Sequence, residues 1–256
     1  MPLVFCNQFR NKIGIPILAA WIIFLLFPYN LFAQIGNDPS SIKWKQINTP
    51  LSRVIFPAGM DSAATRITNV IQFINGPTSR TIGSKTKKIN IVLQNQTTTS
   101  NGYVALAPFK SEFYISPNQN SFELGSVPWI DLLTAHEYRH VQQFNNFDVG
   151  LTKFVHTIFG QEAQSFMSST AIPDWFFEGD AVYNETNLSR QGRGSLPFFY
   201  NGFRAIWQER KDYNWMKLRN GSLKDDVPNY YPLGFLLVAY GREKYGDEFW
   251  KNVTHD

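Results

Sequence analysis

Two histidines four residues apart mark where this chain could do chemistry: His136-Glu137-Tyr138-Arg139-His140. On a helix, positions four apart lie on one face. Both imidazoles can then bind one zinc ion, each at about 2.0–2.1 Å. Glu137 stands beside the first of them and can act as a general base on a water activated by the ion. The surroundings favour a helix. Residues 129–144 contain neither Gly nor Pro, and Leu132, Leu133, Val141 and Phe144 supply an apolar face. The chain has four histidines, and two of them fall in this one segment. A catalytic zinc needs a third protein ligand and an open fourth position. By residue type, the downstream carboxylates and His156 all qualify.

The H-E-x-x-H spacing is the pattern of zinc proteases, and a second segment narrows the choice of third ligand. Residues 175–185 read Trp-Phe-Phe-Glu-Gly-Asp-Ala-Val-Tyr-Asn-Glu. This resembles the second helix of the gluzincin metallopeptidases, W-x-x-E-G-x-A-x-Y-x-E, with matches at Trp175, Glu178, Gly179, Ala181, Tyr183 and Glu185. The resemblance implies that Glu178 is the third zinc ligand. It implies that Gly179 lets the two motif helices approach closely. It also implies that Glu185, two turns on, supports a zinc-binding histidine from behind. Similar enzymes place a tyrosine in a Y-x-x-G context beside the developing oxyanion. Tyr231-Pro232-Leu233-Gly234 matches, with Tyr183 and His156 as alternatives.

Such enzymes also lay an extended substrate along an edge strand. Asn101, Gly102 and Tyr103 are the candidates here. Aminopeptidase-like members carry a glutamate at that place and this segment has none, which points to cleavage within a chain. One departure concerns spacing. In those members the third ligand follows the second histidine more closely, whereas residues 141–177 intervene here, implying an inserted loop and helix. Tyr138 and Arg139 are expected to pack and pair structurally, and His156 to be a satisfied structural histidine. Trp129, Trp175, Trp207, Trp215 and Trp250 are expected in the core or the cleft wall.

The elements that must position these residues fall into two halves. Strands are expected over 53–56, 89–93, 102–107 and 112–115, with a first helix over 62–75 stopped by Gly76-Pro77. Residues 34–50 read as a linker or irregular lead-in. Beyond Pro128 the pattern turns helical, over 129–144, 161–168, 174–185, 203–210 and 233–245, with Gly246 as the final cap. Strands first and helices later imply an α+β fold. The gluzincin resemblance makes it zincin-like, in one domain over 34–256.

Composition narrows the setting. Of 256 residues, 43% are apolar and 16% aromatic, enough for a packed core. The formal charge of +4 includes Arg10 and Lys12, which precede the apolar run 13–27 in the pattern of a secretory signal, with Ala33 as a cleavage point. Without them the chain is nearly neutral, so no nucleic-acid partner is expected. An uncleaved membrane anchor reaching Phe32 is the competing reading. Cys6 is the only cysteine and lies in that segment, so the mature chain has no disulfide framework. Residues 1–33 are therefore expected to direct a secreted or cell-envelope protein.

Taken with the motifs, the expectation is a zinc metallopeptidase acting on a peptide or protein. The motif run also resembles bacterial envelope peptidases with a β-propeller after the peptidase domain, which makes a further C-terminal domain an expected partner. The alternative is a zinc-binding, non-catalytic envelope scaffold, against which the intact Glu137 argues.

Overall fold

Apolar and polar side chains alternate along residues 52–57 and 89–94, and each run becomes a strand with one face in the core. In a computed structural model the described residues are 38–255, and those from Ser41 on belong to one compact unit. The expected signal segment lies outside the described residues. Five strands, β1 (Trp44–Asn48), β2 (Ser52–Pro57), β3 (Ile89–Gln94), β4 (Gly102–Leu106) and β5 (Phe109–Tyr114), form one sheet in the order β1-β2-β3-β5-β4. The pairs β2–β3 and β3–β5 are parallel, while β1–β2 and β4–β5 are antiparallel. Val54, Phe56, Ile89, Ile91, Leu93 and Phe113 point into the main core.

Helix α1 (Asp61–Ser79) crosses between β2 and β3 and buries Ala64, Ile67, Ile71 and Ile74. The expected stop at Gly76-Pro77 does not occur. Pro77 sits in the last turn, where its missing N–H costs a single helical bond. Thr78 Oγ1 donates to the Ile74 carbonyl at 2.8 Å, and the buried Arg139 guanidinium donates to the Thr78 carbonyl at 2.7 Å. A partner distant in sequence therefore closes the helix end. Strand β1 is a second correction, because it falls within the expected lead-in. As an edge strand it needs few apolar residues, and Ile47 alone of its side chains packs on the core.

The second half is helical: α2 (Ser121–Leu124), α3 (Trp129–Asn146), α4 (Gly150–Phe159), α5 (Gln161–Ala171), α6 (Asp174–Ser189), α7 (Asn201–Gln208), α8 (Trp215–Asn220), α9 (Tyr230–Tyr245) and α10 (Phe249–His255). The chain thus combines a mixed sheet with helices, strand-rich first and helical after. The segment between α3 and α6 holds two helices, not one, parted by Gly160 at φ +80°. Leu151, Phe154 and Ile158 keep a helical spacing in α4 but face outward. Trp207 and Trp215 also depart from expectation, being 60% and 43% exposed.

Helix α3 is anchored at both flanks. The Trp129 indole N–H donates to the Tyr114 carbonyl at 3.0 Å, and Asp131 accepts two bonds from Arg66 of α1 at 2.8 and 2.6 Å. Leu133, Tyr138 and Val141 join the sheet core. On its other side lies α6, and α6 in turn packs on α9. Gly179 was expected at the α3–α6 approach, yet it faces α9. A Cβ there would collide with the Gly234 backbone, and a Cβ on Gly234 would collide with the Trp175 carbonyl. Two glycines thus permit a backbone-to-backbone crossing that no larger residue fits.

Gly179→Ala and Gly234→Ala are each expected to cost about 1–3 kcal/mol through overpacking. The control Gly76→Ala has open space around it, but it precedes Pro77, whose ring disfavours a helical residue before it, so the helix gain and this cost should leave stability unchanged within about 1 kcal/mol. Urea unfolding midpoints decide this. Unchanged midpoints in the first two variants would show that the crossing relaxes freely.

Candidate metal centre

Spacing on two helices brings three donors to one point. His136 and His140 are successive turns of α3, and their Nε2 atoms lie 3.3 Å apart. Glu178, in the first half of α6, sets Oε2 at 3.1 Å from His136 Nε2 and 3.5 Å from His140 Nε2. A tetrahedral ion with bonds of about 2.0–2.1 Å would hold its ligand atoms roughly 3.3–3.4 Å apart. The three separations match the edges of that tetrahedron, so this group could hold a metal ion. Both imidazoles are buried while the Glu178 side chain is 21% exposed. The centre therefore opens toward solvent on one side only.

That side is a cavity of about 650 Å³. Its wall includes Trp129, Phe144, Phe177, Phe198 and Phe199, and it takes in Glu137, Arg193 and Tyr231. Asn101, Gly102 and Tyr103 line it as well, at the start of β4, the last strand of the sheet. Gly102 lies directly over the motif helix. A Cβ there would meet Leu133 Cδ1 at 2.6 Å and Glu137 Cγ at 3.2 Å. The missing side chain lets the strand close onto the glutamate. Burial pushes the Glu137 carboxyl upward, against the pull of His136 and His140. A raised carboxyl is better matched to accepting and returning a proton near neutral pH.

Behind His136, Glu185 Oε2 lies 2.9 Å from Nδ1 and is wholly buried. Arg193 grips the same carboxylate through Nε to Oε1 at 2.7 Å and Nη2 to Oε2 at 3.1 Å. Arg193 Nη2 is also 3.0 Å from His136 Nδ1. With Nε2 turned toward the other donors, Nδ1 carries the ring proton and gives it to Glu185. The guanidinium then serves the carboxylate and not the ring.

Arg193 escaped the sequence reading. Its signal is the run Gly192-Arg193-Gly194 just after α6. Both glycines are needed for the turn to lie on Thr186 and Phe235, so that the arginine returns to Glu185.

Tyr231, in the first turn of α9, stacks nearly parallel to the His136 ring, with centroids 6.5 Å apart. Burial and then the neighbouring Glu178 push its hydroxyl pKa upward, so it stays a proton donor. The alternatives are not brought to the centre. Tyr183 packs on Phe235 under the Arg242 guanidinium. His156 bonds Asp148 at 3.0 Å, the satisfied structural role expected for it. No protein-family model matches the chain, and no curated protein matches it either.

Two outcomes follow from this geometry. Glu185→Gln removes the charge that fixes the His136 ring and should weaken the affinity of this group for a divalent ion by about 10–100-fold, measured by chelator competition. The second concerns pH. Burial and Arg193 oppose the His136 imidazolium, but Glu178 and Glu185 outweigh them and its pKa is pushed up to about 9. An incoming ion must displace that proton at any lower pH. Affinity for a divalent ion should therefore rise between pH 7 and 9 and level off above. A flat profile over that range would contradict the proton competition.

Proposed function

We propose that this chain is a zinc-dependent hydrolase, a metallopeptidase with a zincin-like α+β domain, that cleaves peptide bonds within extended protein substrates. The observation that carries the reading is the tetrahedral spacing of His136 Nε2, His140 Nε2 and Glu178 Oε2 beside a buried Glu137 at the cavity floor. The gluzincin resemblance of the 136–140 and 175–185 segments supports the same assignment. The basic-then-apolar N-terminal pattern supports export to the cell envelope or beyond. Among the described residues no helix is long and apolar enough to cross a membrane.

Each residue then has a defined task. His136, His140 and Glu178 would hold the ion, and three protein ligands leave a position open for water or substrate. When bound, zinc supplies a Lewis acid that polarises the scissile carbonyl and makes water a nucleophile near neutral pH. Glu137 accepts the proton of the attacking water and passes it to the leaving amine. The Tyr231 hydroxyl donates toward the oxygen that gains charge. Strand β4 ends the sheet beside Glu137, so an extended peptide can add there by main-chain hydrogen bonds. Asn101, Gly102 and Tyr103 are the residues it would meet. The aromatic wall favours apolar side chains flanking the cleaved bond.

Purified protein should contain about one zinc per chain, lost in His140→Ala. It should digest a denatured protein mixture, and Glu137→Gln should keep the zinc while losing about 10²–10⁴-fold or more in rate. Metal content and gel-based digestion read both. Equal inactivity of wild type and variant, with zinc present, would favour a zinc-binding scaffold of the envelope. A folded wild type without zinc would sink the metal assignment.

A further inference from the structure

Gln143 lies one turn beyond His140, is fully buried, and has no ligand role. Its Nε2 donates to the Phe177 carbonyl and to Asp180 Oδ2, each at 2.9 Å. Both partners only accept, so the amide has one allowed orientation. Oε1 must then face His140 Nδ1, and it does, at 2.7 Å. An amide oxygen has no proton to give. The ring hydrogen of His140 therefore resides on Nδ1, and the Nε2 lone pair is turned toward Glu178 and His136.

Asp180 fixes this arrangement from behind. It is wholly buried and also accepts from Arg139 Nε at 2.6 Å, Arg139 Nη2 at 3.0 Å and Arg242 Nη2 at 2.9 Å. With every donor aimed at it, its carboxylate has no role left except acceptor. Phe177 immediately precedes Glu178, and Asp180 follows two residues later. One amide on α3 thus grips α6 on both sides of the third ligand.

We infer that Gln143 is the positioning residue of the centre. It selects the Nδ1–H form of His140 and sets the distance between His140 and Glu178, with Asp180 locking its amide. This rests on the metal-centre assignment proposed above. It also makes the two histidines unequal. His136 is backed by a carboxylate, His140 by a neutral amide. A carboxylate behind each ring would enrich both ligands in electron density and reduce the acidity of the bound ion. A neutral partner orients His140 without that loss.

The test uses the full chain and two variants of matched volume. Gln143→Met removes the donor and the acceptor. Gln142→Met is the control, since Gln142 is equally buried but its Nε2 bonds the Asn75 carbonyl on α1. Two readouts are taken: zinc affinity by chelator competition, and the His140 tautomer from ¹⁵N-histidine NMR of metal-free protein with the ring neutral. Gln143→Met should weaken zinc by about 10–100-fold and abolish the Nδ1–H preference, while Gln142→Met changes neither. Retained affinity and tautomer in Gln143→Met would overturn the inference. Should that variant not fold, the wild-type spectrum still decides, because a wild-type Nε2–H form contradicts the geometry. A wild type that binds no zinc yet shows Nδ1–H would refute the metal assignment and leave the Gln143 contact standing.

Discussion

A buried polar group must find a partner or cost stability, and helix α3 carries an unusual load of such groups into the interior. Thr134, His136, Glu137, Arg139, His140, Gln142, Gln143, Asn145 and Asn146 are all buried there. Much of the remaining architecture can be understood as the supply of their partners. Helix α1 offers its C-terminal carbonyls to Arg139 and Gln142. Helix α6 offers Glu178, Asp180 and Glu185, and Arg242 of α9 braces Asp180 in turn. Tyr138 donates to Asn75 at 2.7 Å, so even the aromatic residue of the motif is tied to α1. The helix is placed by chemistry as much as by its apolar stripe.

The charges in this interior come close to balance. Glu137, Glu178, Asp180 and Glu185 face Arg139, Arg193 and Arg242. Four carboxylates against three guanidiniums leave one negative charge, in a region where an unbalanced charge is expensive. Protons can offset it, since the nearby carboxylates push both His136 and His140 upward against the cost of burial, and burial pushes the Glu137 carboxyl upward. A bound dication would compete with those protons for the same donors. An ion bound at this group would thereby be linked to the stability of the surrounding interior.

The sequence was most legible where spacing alone dictates geometry. The i, i+4 relation of His136 and His140 and the alternation in β3 are of this kind. Glu178 and Glu185 are seven apart on α6 and were accessible only through the resemblance, because nothing local says which distant histidine a carboxylate faces. Arg193 has no fixed spacing to its partners, and the two glycines beside it gain meaning only once Thr186 and Phe235 are in place. The continuation of α1 past Pro77 was hidden for the same reason, since its end is capped by Arg139, some sixty residues downstream. Local pattern yields elements and the faces they present. The pairing of buried charges is a property of the folded interior.

The Y-x-x-G segment shows how these levels join. Tyr231 and Gly234 are one turn apart at the start of α9, and only the first touches the cavity. Gly234 lies where α9 crosses α6, and its missing side chain sets how close the two helices come. That crossing is adjacent to Glu178 in sequence, through Gly179. Gly234 thus sets the approach of α9 to α6, and Tyr231, one turn earlier on α9, stacks on the His136 ring. A larger residue there would press on Trp175 and Gly179, and so disturb Tyr231 and Glu178 together. The glycine thus bears on where the tyrosine hydroxyl stands, and the short spacing between the two residues makes that influence direct.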